Sequence, residues 1–402
     1  MRAYNDHGVS RRHISCLLAS LAAVTLNGST PSPAGADHVA TRSVLQLPKD
    51  APDHLFISGH SLTDPPFADY LAHLAQGEGR AFHWGMQSLA GSSLQDRSRA
   101  AVAHAGSGDE RSVITRSGSD SAARALGADN ALPYDALLLA EQHTLLESLI
   151  WKDTIGSAVD YIEHFTAANT SGPVYLFTTW LNLDDQHDPA RWLSYERAAA
   201  HAWQCTSARI AHLSNSRVTL IPAADALATL VEEALAGRVP WISGERASDT
   251  LRKIFIDDVH LTPAGTYFTA LVTHGVMQGG LAHDLWTPAT LDGGTGAALQ
   301  DVARAYLATR GELVRTDERA CRAYLAERFV PAYLHYVRDA RWRREGTLHA
   351  YLKWIRFRLA WPHLLQSDRP DNPWLARRDP APPGPGENAI PPLPNAPAAL
   401  PR

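Results

Sequence analysis

The chain has 402 residues, 45% hydrophobic and 20% charged, with a formal net charge of −5. That is ordinary globular composition, long enough for one large domain plus an extension. The acidic balance argues against nucleic acid as a partner, because a phosphate backbone is held by a strongly basic face.

Arg11 and Arg12 precede an apolar stretch from Ile14 to Leu26, and a Pro/Ser/Gly spacer then leads to Ala34-Gly35-Ala36. This basic, apolar, small-residue order reads as a secretory signal over residues 1–36, cleaved after Ala36. Ser10-Arg11-Arg12 also hints at a twin-arginine signal. The competing reading is an uncleaved anchor, but the apolar run is short of the ~20 residues a span needs. Export to the periplasm or the exterior is therefore expected. Cleavage would remove Cys16 and leave Cys205 and Cys321. These could pair in an oxidising compartment. Two separate buried thiols are the favoured expectation, since sequence carries no geometry.

Strand and helix patterns then alternate. His54-Leu55-Phe56-Ile57 reads as a first strand, followed by a helix from Pro65 to Leu74 with Asp64 as its N-cap. Further strands are expected at Phe82–Met86, Asp135–Ala140, Val174–Thr179 and Arg217–Pro222, the third an unbroken apolar run. Helical patterns lie at Trp192–Leu213 and Ala223–Ala236. Strands separated by helices imply a mainly parallel five-stranded sheet in a three-layer α/β/α sandwich, flavodoxin-like, over residues 50–285. Residues 97–131 interrupt the alternation as an irregular insertion, either a substrate loop or a surface loop.

Leu291–Gly296 reads as a linker to a helical extension over 297–366, and a Pro-rich tail over 367–402 is expected to be disordered. In residues 341–358, Arg341, Arg343, Arg344, Lys353, Arg356 and Arg358 stand against Glu345 alone. Leu348, Leu352, Ile355 and Leu359 share one helical face. The favoured expectation is that this face packs on the main domain; the alternative is contact with a membrane or an anionic glycan.

Two motifs carry chemistry. Ser58-Gly59-His60-Ser61-Leu62-Thr63-Asp64 follows the first strand, and Asp257-Asp258-Val259-His260-Leu261-Thr262 lies some two hundred residues later. They supply an oxygen nucleophile on a sharp turn, an imidazole base, and a carboxylate three positions before that base. Ser61, His260 and Asp257 are the candidate triad; Asp258 is the rival carboxylate. The alternative reading leaves Ser61 and Asp64 as turn and cap residues only.

These motifs resemble those of the GDSL-type (SGNH) hydrolases, a family of esterases and lipases, with His60 where that family usually has Asp. The resemblance covers roughly residues 50–285. It implies a serine esterase whose oxyanion is held by the Ser61 N–H, by the Gly91 N–H, and by an Asn side chain in a Gly-x-Asn-Asp block. This chain departs there, with Ala140-Glu141-Gln142-His143; Gln142 stands at the Asn position. Glu141, His143 and Trp180 are candidate substrate contacts, with packing in the core the favoured reading for Trp180. Asp184-Asp185-Gln186-His187-Asp188 lacks the Gly and terminal Glu of a calcium loop, and the nineteen histidines lack ligand spacing, so neither metal nor cofactor is expected. The activity implied is removal of a small acyl group, such as acetyl, from a glycan. Alternatives are a lipid esterase, an acyltransferase on the same triad, or a glycan-binding protein on a hydrolase scaffold.

Overall fold

The structure, a computed structural model, describes residues 51–98, 134–168, 172–309 and 317–375. The expected signal, most of the 97–131 insertion and the tail beyond Leu375 lie outside the described residues.

Five strands form one sheet: β1 His54–Gly59, β2 His83–Ser88, β3 Ala136–Ala140, β4 Val174–Phe177 and β5 Val218–Ile221. Their order is β2-β1-β3-β4-β5, and every pairing is parallel. All five residues of β3 are buried, as are all four of β4, which is why both read as continuous apolar runs. The chain winds outward in opposite directions from β1 and β3, so the C-terminal ends of these neighbours border the crevice where such sheets place their sites.

Helices cover the sheet. After β1 comes α1 (Phe67–Gly77), after β2 the short α2 (Leu94–Ser98), and after β3 come α3 (Leu145–Trp151) and α4 (Thr154–Ala168). Then follow α5 (Ala190–Ser214), α6 (Ala223–Leu235), α7 (Ala247–Ile254) and α8 (Pro263–Gln278). Helix α8 packs on α1 and α6, while α4 packs on α2 and α5. The expectation that Asp64 caps α1 is corrected. Pro66 occupies the cap position with no side-chain bond, and the Asp64 carboxylate instead accepts from the Ser88 hydroxyl, tying the turn after β1 to the end of β2.

The expected linker is also shorter than its Gly content implied. Helix α9 (Gly293–Thr309) begins inside it because the Asp292 carboxylate accepts from the Thr295 N–H at 2.8 Å and its hydroxyl at 2.7 Å. The extension continues as α10 (Glu318–Tyr324), a π-turn at Leu325–Phe329, α11 (Val330–Ala340), a 3-10 turn at Trp342–Glu345 and α12 (Thr347–Gln366). The π-turn has a local cause: Pro331, in the first turn of α11, has no N–H for the i−4 carbonyl.

Two expectations about the extension are overturned. Cys205 of α5 and Cys321 of α10 are joined in a disulfide, with Cα atoms 5.4 Å apart. The helices carrying them pack together, so two thiols 116 positions apart in sequence meet in the core. And the Leu348, Leu352, Ile355, Leu359 face of α12 is not packed on the domain but exposed. The helix instead buries Ala350, Phe357, Trp361 and Leu365. These larger aromatic anchors stack among themselves and on Trp342 and Tyr333, outcompeting the aliphatic face for the interior.

Candidate active site

The site is built from the C-terminal ends of β1, β2 and β3 and from the loop between α7 and α8. The turn after β1 is tight. The Thr63 N–H donates to the His60 carbonyl at 2.8 Å, and the Thr63 hydroxyl lies so close to Gly59 that a Cβ there would collide with it. Gly59 is thus required by a close approach. His60 points inward. Its Nε2 donates to the Glu141 carbonyl at 2.9 Å, and its Nδ1 accepts from the Leu62 N–H. Burial, with the nearby Arg97 guanidinium, pulls its pKa down to about 3, so the ring is neutral. It fastens the turn carrying Ser61 to the end of β3.

That turn presents Ser61, partly buried, to the α7–α8 loop. His260 Nε2 lies 3.1 Å from Ser61 Oγ, and His260 Nδ1 lies 2.7 Å from Asp257 Oδ2. Asp257 Oδ1 accepts the backbone N–H groups of His260 at 2.7 Å and Val259 at 2.8 Å. Asp257, like Asp258, is exposed; what desolvation it feels would raise its pKa, but these bonds and the imidazole hold it below the usual carboxylate range. Asp258 is exposed and engages its surroundings through its backbone carbonyl, which accepts the Leu183 N–H at 2.7 Å. Of the two aspartates, Asp257 is therefore the imidazole's partner. The loop is closed by Ile256 N–H donating to the His260 carbonyl at 2.8 Å, and Thr262 with Pro263 starts α8 immediately after it.

Trp180 is fully buried, and its indole N–H donates to the Val259 carbonyl at 2.8 Å. This corrects its candidate role as a substrate contact: it braces the histidine loop from behind. Glu141 is corrected likewise. Its side chain is fully buried, with Oε1 accepting the N–H groups of Leu94 at 3.0 Å and Gln142 at 2.6 Å. Burial pushes its carboxyl pKa up. Beside it, Arg97 is also fully buried, its guanidinium donating to Ser58 Oγ at 2.9 Å and Ser92 Oγ at 2.8 Å, and to the Ala140 carbonyl. This buried pair joins the ends of β1, β2 and β3 rather than facing a ligand.

Gly91 and Gln142 do come together: Gln142 Nε2 donates to the Gly91 carbonyl at 2.9 Å. Gly91 has φ +69, a left-handed conformation that glycine adopts freely. The Gln142 amide has a second N–H beyond that bond. His143 is partly buried, and burial lowers its pKa to about 4, against the opposing pull of Glu147. The Asn182 side chain lies beside it and partly offsets that lowering, and His143 lies within electrostatic reach of His260 and of Arg341, which comes from the C-terminal extension. Arg341 in turn donates to Glu147 at 2.6 Å.

Sequence reasoning missed the roles of His60, Arg97, Asn182 and Arg341. His60 carried a signal as the odd residue within the first motif, and Arg341 was read only as part of the basic run 341–358, whereas it turns inward to Glu147. The acidic run after β4 is spent on structure: Asp184 pairs with Arg191 at 2.7 Å, and Asp185 and Asp188 accept local backbone N–H groups. Among the described residues no group of three or more His, Cys, Asp or Glu side chains is arranged to hold a metal ion.

With Nδ1 donating to Asp257, His260 Nε2 is left as a base facing the Ser61 hydroxyl, the arrangement that activates a serine for attack. No family model and no curated protein matches the chain. Among solved structures, a DUF4886 family protein from Bacteroides uniformis is a distant neighbour, with 15% identity and a TM-score of 0.47 over 65% of this chain and 97% of that one.

Proposed function

We propose that the chain is an exported serine ester hydrolase of the GDSL-type (SGNH) kind. The observation that carries this reading is the continuous hydrogen-bonded line from Asp257 through His260 to Ser61, at 2.7 and 3.1 Å. Ser61 Oγ attacks the ester carbonyl while His260 Nε2 takes its proton. The tetrahedral oxyanion draws on the Ser61 and Gly91 N–H groups and the second N–H of Gln142. On collapse, His260 returns the proton to the leaving alcohol, leaving an acyl group on Ser61. A water, deprotonated by the same imidazole, then releases the acid. A small acyl group on a glycan is the proposed substrate. The Cys205–Cys321 disulfide supports export, since such bonds persist outside the reducing cytosol.

A glycan-binding protein on a hydrolase scaffold is the second reading, favoured by the Gln142 amide spending one N–H on the Gly91 carbonyl. A fluorophosphonate probe separates the two. The first reading expects stoichiometric labelling at Ser61 and turnover of a short-chain aryl ester, both lost in Ser61→Ala with the fold intact, and turnover reduced by several orders of magnitude. An unlabelled wild-type protein, or a well-folded Ser61→Ala protein with undiminished turnover, would remove the hydrolase reading.

A further inference from the structure

Helix α12 has two apolar faces, and the fold uses only one. Leu348, Leu352, Ile355 and Leu359, spaced by four, three and four, form the other, and they are 74%, 59%, 48% and 73% exposed. Singly exposed aliphatic residues are commonplace; an uninterrupted stripe along three turns of one helix marks a contact surface.

The charges beside the stripe indicate what covers it. Helix α12 contains no acidic residue. Its Lys353 turns back onto the protein, over the Trp342 ring and toward Glu345. Arg356 and Arg358 are exposed, and among the described residues neither has a carboxylate partner. At 100° per residue they project roughly 70° and 90° to either side of the centre of the stripe. An apolar ridge edged on both sides by uncompensated cations complements an apolar layer edged by anions. A polysaccharide chain offers the anions without the apolar layer. A second copy offers the apolar layer but brings its own unpaired arginines to the same seam. Among the described residues no helix is long and apolar enough to cross a membrane, so the geometry is that of a helix lying in the interfacial plane.

The geometry points to α12 as a docking surface for an anionic lipid bilayer, with the Leu348–Leu359 stripe entering the acyl boundary and Arg356 and Arg358 at the headgroups. This does not rest on ester hydrolysis, and its test reads binding alone. The purified mature chain, from Asp37 onward, is floated with vesicles of phosphatidylcholine mixed with phosphatidylglycerol, and with vesicles of phosphatidylcholine alone. The expected result is binding to the mixed vesicles that weakens with added salt. Leu352→Glu with Leu359→Glu should lower the partition about tenfold or more, the scale set by burying one leucine. Arg356→Glu with Arg358→Glu should lower it by about tenfold and blunt the salt dependence. All four positions are exposed, so thermal melts of both double variants should match wild type. If the leucine pair melts early, the arginine pair still decides. Absence of flotation with mixed vesicles overturns the proposal, as does equal binding to phosphatidylcholine alone. So does a dimer in solution that the leucine variant dissolves, or retention on dextran sulfate that the leucine variant leaves unchanged.

Discussion

Asp257 and Asp258 are adjacent and chemically identical, yet only Asp257 reaches the imidazole, while Asp258 spends its carbonyl on Leu183. Asp257→Asn is expected to lower kcat by about three to four orders of magnitude, because an amide can leave the ring in the wrong tautomer. Asp258→Asn should stay within a few-fold of wild type. Ester hydrolysis by both variants checks the ranking, and a reversed order would sink the assignment. At Gln142 the test is of the third oxyanion donor. Gln142→Ala is expected to lower kcat roughly 10²–10³-fold with little change in KM, because the developing charge exists only in the transition state. Gln142→Asn should retain part of the activity. Full kcat in Gln142→Ala would mean the side chain serves only to hold Gly91. Both residues were legible in the sequence, Asp257 from its spacing to His260 and Gln142 from its place just after the third strand. What each touches was not, because a one-residue choice inside a turn depends on backbone geometry that spacing does not encode.

The elements of the extension brace the site from outside the sheet. Tyr336 of α11 donates to the Asn182 carbonyl, Arg341 pairs with Glu147, and the loop after β4 holds the histidine loop through Leu183 and Trp180. The extension is itself fastened to α5 by the disulfide, by Arg209 to Glu318 at 2.9 Å, and by the Tyr324 hydroxyl on the Ala198 carbonyl at 2.8 Å. Replacing the disulfide by Cys205→Ser with Cys321→Ser should lower unfolding free energy by about 2–5 kcal/mol. Denaturant unfolding of oxidised wild type and the double variant measures it, and equal midpoints would refute it. The periodicity of α12 was readable in the sequence, but the face it buries was not. A helix with apolar residues on two sides is oriented by whichever set finds the better-shaped partner, and here the aromatic set does.

Across the whole molecule, buried histidines couple the fold to acid. The folded pKa of His60, about 3, lies below the ordinary 6.5, so the fold favours the neutral ring. Its contribution is complete above the unfolded value and is lost as pH falls from 6.5 toward 3. His143, lowered to about 4, acts in the same direction. Between the unfolded value and about pH 5, His60 alone should cost on the order of 2 kcal/mol. Urea unfolding across that window, with His60→Asn showing a shallower slope, is the check; stability that stays flat on acidification would contradict it. The sequence by itself determined the parallel α/β sandwich, because strands buried on both faces must read as apolar runs and the helices between them force parallel crossovers. It also determined which motifs end at the crevice, since the first strand and its turn are contiguous. Only the tertiary structure decided what depends on distant segments meeting: the Cys205–Cys321 bond, the buried Arg97–Glu141 pair across three strand ends, the inward turn of Trp180, and the exposed stripe of α12. Each is settled by competition for interior space and for hydrogen-bond partners, which no local pattern records.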